Sequence, residues 1–440
     1  LGRHRLIKQI NVSIYGFSRG AALARAFCNQ WLWQCKENRG QLSYEAYPIR
    51  FVFLGLFDTV ASFGLPATNT ANTLQYGGFR GRDLVVDERV ERCVHYVAAH
   101  ELRFSFPVDL IRRDGALSGD WLEKTYPGVH SDIGGGYEPK EQGIDNNYAR
   151  IPMRDMMREG QLHGSRIMGY EAFANNPAYK ALFQERFECK PETEAAFKAY
   201  CAACNPAGTI EQQMKKHMAQ LYSAHGTLHR EGGESVTQRV HREGGSWSRL
   251  APDNMARELD NYNRAIQALR NPLGLAARTA VNPTYALQKG VYAMWISPKP
   301  WQLEAWGRTA KPGVMGFVHT YVHDSKAGFL NNAEPFSYFS KRGVSESSRS
   351  VQGWFEDNVA RPVDKAYEVT VEAASRGIEK GAEAAKKAQA AAIETAKKVE
   401  RAASAVAQKV QHAAQSSAEA ISKGTQEAIS VVKQAWDFLY

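Results

Sequence analysis

Hydrophobic and polar positions follow one another in three different ways along this chain, and each predicts a different kind of structure. In the first third the apolar residues come in short runs of strand length. Ile10-Asn11-Val12-Ser13-Ile14-Tyr15 reads as a buried strand, and residues 21–36 follow almost at once with the Ala, Leu and Arg content of a helix. Residues 50–57, Arg-Phe-Val-Phe-Leu-Gly-Leu-Phe, form a continuous apolar run ending at Asp58, the pattern of a central parallel strand with both faces covered. Further strands are predicted at 94–99 and 121–126, the second stopped by the turn pair Pro127-Gly128.

From 149 to 270 the pattern changes to polar helical segments with loops between, which reads as an insertion or cap over the active edge of the sheet. Strand-like character returns at 314–322, Val-Met-Gly-Phe-Val-His-Thr-Tyr-Val, and this segment is expected to rejoin the core. Beyond Pro362 there is no proline, and the residues become those of a long helix or helical hairpin, rich in Ala, Glu, Lys and Gln. Val399, Val410, Ile421 and Val432 recur at three turns of roughly 3.67 residues, so they share one stripe, thin because most of it is alanine. Packing on its own domain is the first expectation for this tail, a surface-seeking amphipathic helix the second. The expected architecture is α/β: an α/β-hydrolase-like, mostly parallel sheet (1–148), a helical insertion (149–270), a return to the core (271–360) and an alanine-rich helical tail (361–440).

Composition narrows the function classes. At 440 residues and 44% hydrophobic content the chain can bury a large core, and its net charge of +9 is spread without any dense Lys/Arg block. That charge suits an anionic lipid surface and gives no reason to expect nucleic-acid binding. Six irregularly placed cysteines do not resemble a secreted disulfide framework, so synthesis in a reducing compartment is expected. Cys201-Ala-Ala-Cys204 has the spacing of half a zinc site, yet neither a second such pair nor a histidine pair completes it, and no metal is assigned. The N-terminus does not read as a signal peptide, and no run of about 18 apolar residues exists to span a bilayer. Membrane contact is therefore expected to be peripheral.

The chemistry is concentrated in a few positions. Gly16-Phe17-Ser18-Arg19-Gly20 is a GxSxG elbow between a β-branched strand and a helix, where a strained turn exposes the serine hydroxyl and glycines on either side relieve backbone conflict. Ser18 is thus the candidate nucleophile, and the backbone N–H of Arg19, opening the helix, is a candidate oxyanion donor. A serine needs a base and the base an orienting carboxylate, in the order Ser, acid, His for this type of elbow. Asp58, at the end of an apolar run, fits the acid. Two histidines compete as base: His130, in Val129-His130-Ser131-Asp132-Ile133-Gly134-Gly135-Gly136-Tyr137, and His323, after the segment 314–322. His95, His100 and His319 are weaker, and His100-Glu101 lacks the second histidine of a zinc-protease helix. Asp132 is expected to fix its loop by bonding backbone N–H groups. His229-Arg230-Glu231-Gly232-Gly233 recurs as His241-Arg242-Glu243-Gly244-Gly245, which suggests a surface hairpin. Trp295, Trp301 and Trp306 are candidates for an interfacial patch, with burial the stronger expectation.

Three motifs in order, Gly16-Phe-Ser-Arg-Gly-Ala21, Phe57-Asp-Thr-Val60 and Gly128-Val-His-Ser-Asp-Ile-Gly-Gly-Gly-Tyr137, resemble the catalytic domain of the first group of bacterial type VI secretion lipase effectors. They span about the first 140 residues, with weaker similarity at Tyr321-Val-His-Asp-Ser325. The resemblance implies Ser18 as nucleophile, Asp58 as acid and His130, in preference to His323, as base. It also implies a phospholipase of A1 or A2 type, needing no cofactor. Such an enzyme would be delivered with a secretion spike component into the periplasm of a rival bacterium, with a cognate immunity protein protecting the producer. The family's upstream Asp-Gly-Thr strand is absent from these residues, which leaves the second oxyanion donor unassigned; either chain is missing ahead of residue 1 or later segments complete the sheet. Two other functions compete with this one: a soluble esterase of small substrates, and a non-catalytic delivery or binding protein acting through the tail.

Overall fold

The computed structural model describes residues 7–60, 84–103, 106–243, 255–282, 284–327, 337–340 and 342–346. The tail expected over 361–440 lies outside them. The chain divides into two compact units, one drawn from Leu1–Ala61, Arg82–Arg257 and Pro298–Ser348, the other from Ser62–Gly81, Glu258–Ser297 and Arg349–Tyr440.

The first unit is built on a mixed sheet whose main strands run parallel. β1 (Ile10–Phe17) is followed by helix α1 (Arg19–Gln34), a short antiparallel pair β2 (Lys36–Asn38) and β3 (Gln41–Tyr44), and the long β4 (Tyr47–Phe57). β5 (Cys93–Ala98), β6 (Val108–Leu110) and β7 (Leu122–Tyr126) follow. β4 pairs in parallel with β1 and with β5, and β5 in parallel with β7. The strands expected at 50–57, 94–99 and 121–126 are thus present as β4, β5 and β7. α1 buries Ala21, Ala24, Cys28 and Leu32, spaced to form one helical face, against Val12, Phe51, Leu54 and Leu56 of the sheet. This packing fixes the direction in which α1 leaves β1. The strand at 10–15 is less buried than its apolar residues suggest: only Val12 is buried and Tyr15 is 39% exposed. Among the described strands its one sheet partner is β4.

After β7 the chain becomes helical: α2 (His130–Gly134), α3 (Arg150–Leu162), α4 (Tyr170–Ala174), α5 (Lys180–Arg186), α6 (Pro191–Cys204), α7 (Ile210–Arg230) and α8 (Val236–Glu243). α9 (Met255–Arg270) leads into the second unit, where α10 (Pro272–Val281), capped by the Asn271 side chain on the Gly274 N–H, is tied to α11 (Tyr285–Ile296) by Arg278 Nη1 donating to the Tyr285 hydroxyl at 2.8 Å. The first unit resumes with α12 (Pro300–Gly307), α13 (Pro312–Tyr321) and β8 (Val344–Glu346), which pairs in parallel with β6.

Two expectations are corrected here. The segment 314–322 is not a strand but most of α13. Pro312 at the first helical position starts it, and Val314, Phe317, Val318 and Tyr321 are buried at the spacing of one helix face, a periodicity that outweighs the β-branched residues. The two His-Arg-Glu-Gly-Gly copies do not form a hairpin either. The first ends α7, where Gly233 N–H donates to Leu228 O at 2.9 Å; the second begins in the last turn of α8, and its glycines lie outside the described residues.

Candidate active site

The ends of β1, β4, β5 and β7 all point the same way, and the candidate residues stand just beyond them, where parallel sheets place their sites. Ser18 occupies the step from β1 to α1 with φ 59° and ψ −127°, a strained backbone for any residue with a side chain. Its N–H donates to Phe57 O at 3.0 Å, and its carbonyl accepts from Ala21 N, Ala22 N and Val60 N. The elbow is therefore stitched to the loop that carries Asp58. Gly16 is required, since a Cβ there would come within 2.5 Å of the Gly20 carbonyl oxygen. Gly20 is not required on the same ground, because a Cβ at that position meets nothing within 4 Å. Arg19 is the first residue of α1, so its N–H belongs to the turn that has no intrahelical acceptor, at the positive end of the helix dipole.

Asp58 follows β4 with φ 41° and is fully buried. Its Oδ2 lies 2.5 Å from His130 Nδ1, and its Oδ1 accepts the Ala98 N–H at 2.8 Å. Arg342 completes the environment: Nη1 donates to Oδ1 at 2.8 Å and Nη2 to Oδ2 at 2.6 Å. Burial by itself would raise the Asp58 carboxyl, but the Arg342 charge and the bonds from His130 and Arg342 outweigh it and hold the group below the ordinary carboxylate range. The neighbouring Thr59 anchors the loop, accepting from buried Arg25 Nη2 at 3.0 Å and donating its N–H to His95 Nε2 at 3.1 Å.

His130 opens α2 immediately after the turn that ends β7. With Asp58 ionised, the shared proton sits on Nδ1 and Nε2 is left as the acceptor nitrogen. The ring lies between Phe17 (centroids 4.5 Å) and Phe106 (5.2 Å), and the His130 N–H donates to Glu101 Oε2 at 3.0 Å. Burial lowers the imidazole pKa, with Asp58 opposing it. Glu101 also accepts from Arg103 and from Ser325 Oγ; despite burial, Arg103 brings its carboxyl down to about 2. Gly134 allows α2 to approach Phe17, whose ring occupies the space a Cβ would need.

His323 is brought to a different carboxylate. Its Nδ1 lies 2.5 Å from Asp132 Oδ1, its N–H donates to Asp132 Oδ2 at 3.3 Å, and its ring stacks on Tyr137 at 3.7 Å. Asp132 Oδ2 also accepts the Val129 N–H, so this residue does tie down its loop. His95 pairs with Glu123, His100 bonds the Tyr200 hydroxyl, and His319 stands exposed on α13. A small cavity bordered by Leu221, Met315, Val318 and His323 has neither Ser18 nor His130 in its wall. Cys201 and Cys204 lie in α6, with Cys204 Sγ 3.6 Å from His217 Nδ1, and among the described residues no three potential metal ligands converge. Trp301 and Trp306 are half-buried against Tyr222 and Phe339; the Trp295 side chain lies outside the described set.

Sequence reasoning missed Arg342 and the bonding role of Glu101. Arg342 follows no motif, and only the folded chain brings it to Asp58 across 284 residues. Glu101 was visible only as part of a failed zinc motif.

Comparison with known proteins finds similarity over part of the chain. The family model for the catalytic domain of Tle1-like phospholipase effectors of type VI secretion matches residues 29–159, a span that holds Asp58 and His130 and begins after Ser18. A crystal structure of an uncharacterized protein from Pseudomonas aeruginosa is similar over 78% of this chain and 58% of that one, at 21% identity and a TM-score of 0.52. The Tle1 effector bound to the VgrG spike of the type VI secretion system is similar over 32% of this chain and 27% of that one, at 31% identity and a TM-score of 0.23. This chain thus spans less than two thirds of the length of either solved structure. No curated protein matches it. Over residues 29–159 the chain is thus similar to the catalytic domain of the Tle1-like phospholipase effectors of type VI secretion.

Proposed function

We propose that this chain is the hydrolytic part of a type VI secretion phospholipase effector, a serine esterase of α/β-hydrolase type that cleaves phospholipid acyl esters at the A1 or A2 position. The observation that carries the reading is the meeting of three strand ends. The strained Ser18 is bonded through its backbone to the residue before Asp58, Asp58 is bonded to His130, and the His130 ring packs on Phe17 beside Ser18. In this mechanism His130 Nε2 takes the proton of the Ser18 hydroxyl as Oγ attacks the ester carbonyl carbon. Asp58 holds the imidazole by Nδ1, and the Arg19 N–H stabilises the oxyanion. Collapse of the tetrahedral intermediate expels the lysophospholipid alkoxide, which takes the proton from His130 and leaves an acyl-Ser18. Water, deprotonated by His130, then attacks the acyl carbon, and as the bond to Oγ breaks the His130 proton returns to Ser18 and the fatty acid leaves.

A lipid surface suits the substrate: Leu23, Phe27 and Trp33 of α1, the helix that begins after Ser18, are 51%, 55% and 53% exposed, on a chain of net charge +9. No helix among the described residues is long and apolar enough to cross a membrane, so contact with the bilayer is peripheral in this reading. Delivery on a spike component to the periplasm of a target bacterium and neutralisation by an immunity protein complete the proposal.

Fatty-acid release from phosphatidylethanolamine and phosphatidylglycerol vesicles tests it. Ser18→Ala and His130→Ala are expected to abolish release, with His323→Ala retaining much of it. Release unaffected by Ser18→Ala would sink the serine mechanism.

A further inference from the structure

We propose that Arg342 is a positioning residue of this site: it clamps Asp58 and, by sharing Oδ2 with His130, keeps the imidazole less basic than Asp58 alone would make it. The inference rests on the triad reading above. Arg342 meets the carboxylate edge-on with both Nη atoms, a two-bond fork that a lysine ammonium cannot reproduce. The fork is itself fixed, because Nη1 also donates to Ala98 O at 3.1 Å and Nε to Phe106 O at 2.5 Å. The backbone beside it is held as well, Val108 N–H donating to Gly343 O at 2.9 Å where β8 joins β6. The Arg342 side chain is 2% exposed and that of Asp58 is 0% exposed, so solvent does little to screen the pair.

The consequence is electrostatic. Among the described residues the charged groups around His130 are Asp58 and Glu101, which favour the imidazolium, and Arg103 and, through its bond to Asp58 Oδ2, Arg342, which oppose it; Phe17 and Phe106 are apolar. Two anions balance two cations. Without Arg342 one negative charge is left over beside a ring that gains a proton in the reaction. The base would then already be protonated at mildly acidic pH, where Arg342 keeps it neutral and able to act. Anchoring through Phe106 O adds a second route, since the Phe106 ring packs on His130.

The test is the His130 titration by NMR in the whole chain, its signal identified among the twelve histidines by loss in His130→Ala. Wild type is compared with Arg342→Met and Arg342→Lys, each first checked for folding by circular dichroism. In Arg342→Met the midpoint is expected to rise by about one pH unit or more, and the acid limb of kcat/KM for fatty-acid release to move up with it. In Arg342→Lys the charge remains but the fork is lost, so a smaller rise is expected, about half a unit, with kcat reduced more than KM is altered. Should Arg342→Met fail to fold, Arg342→Lys decides. An unmoved midpoint in either folded variant, with activity merely scaled down at every pH, would overturn the proposal and leave Arg342 a structural clamp. The titration needs no turnover, so it still tests the Arg342–Asp58–His130 coupling if Ser18→Ala proves harmless and the triad reading fails.

Discussion

Two buried histidine–aspartate pairs stand close together in this chain, each with Nδ1 2.5 Å from a carboxylate oxygen, and that distance alone does not tell them apart. Their neighbours do. Asp58 is reached by a guanidinium fork and a backbone N–H from the end of a different strand, and its histidine lies between two phenylalanine rings beside the strained Ser18. Asp132 is reached by two backbone N–H groups, one from its own turn, and its histidine is stacked on Tyr137 with Nε2 buried and making no hydrogen bond. The first pair draws together the ends of β1, β4 and β7. The second fastens α2 to the segment after α13. In the proposed mechanism the first arrangement carries proton transfer and the second holds its histidine in place.

Exchanging the carboxylates for amides should separate them most sharply. Asp58→Asn removes the acceptor that sets the His130 tautomer and leaves Arg342 without its anion; fatty-acid release is expected to fall by roughly 10³–10⁴-fold. Asp132→Asn only loosens the turn carrying His130, and a loss of no more than about 10²-fold is expected, the scale of a small misplacement. Equal losses from steady-state rates of the two purified variants would break the comparison.

Glu101 bridges the two pairs, accepting the His130 N–H on one oxygen and Ser325 Oγ, two residues past His323, on the other. Its carboxyl is carried from 4.5 down to about 2 in the folded chain, chiefly because Arg103 overcomes the cost of burial. A depressed carboxyl stabilises the fold in full above its unfolded pKa and loses that contribution as pH falls through the folded value. Urea unfolding should therefore lose stability between pH 4.5 and about 2, and Glu101→Gln should flatten that slope while costing about 3 kcal/mol at neutral pH. A slope unchanged in the variant would remove Glu101 as the bridge.

How much of this could be read from the sequence depends on how local each determinant is. The elbow, the apolar run ending at Asp58 and the glycine run after His130 are short segments whose chemistry is written in neighbouring letters, and β4, β5 and β7 stand where their apolar residues put them. Val314 to Val322 has the β-branched content of a strand, but the buried spacing of Val314, Phe317, Val318 and Tyr321 and the Pro312 start make it a helix. Arg342 was invisible for another reason. A buried arginine owes its position to one distant carboxylate and two carbonyls, and no periodicity announces such a partner. The histidines fall between: residue type and loop context named both, but which carboxylate each meets is decided by how α2 and the end of α13 pack.

The smallest effect tests whether the second pair is only a fastening. The Tyr137 ring lies flat on His323, with an interplanar angle of 11°, and His323 is bonded to Asp132, which holds the turn that carries His130. Tyr137→Leu keeps apolar cover on the imidazole and removes the ring face, so a loss of about 1 kcal/mol in urea unfolding is expected. Fatty-acid release should stay within about twofold of wild type, because Asp132 still holds both Val129 N–H and His323 and the His130 ring keeps its own two phenylalanines. If Tyr137→Leu instead lowered release as far as Asp132→Asn while unfolding hardly changed, the His323 stack would be setting the geometry of the reacting histidine. The two pairs would then be one device rather than a site and its fastening.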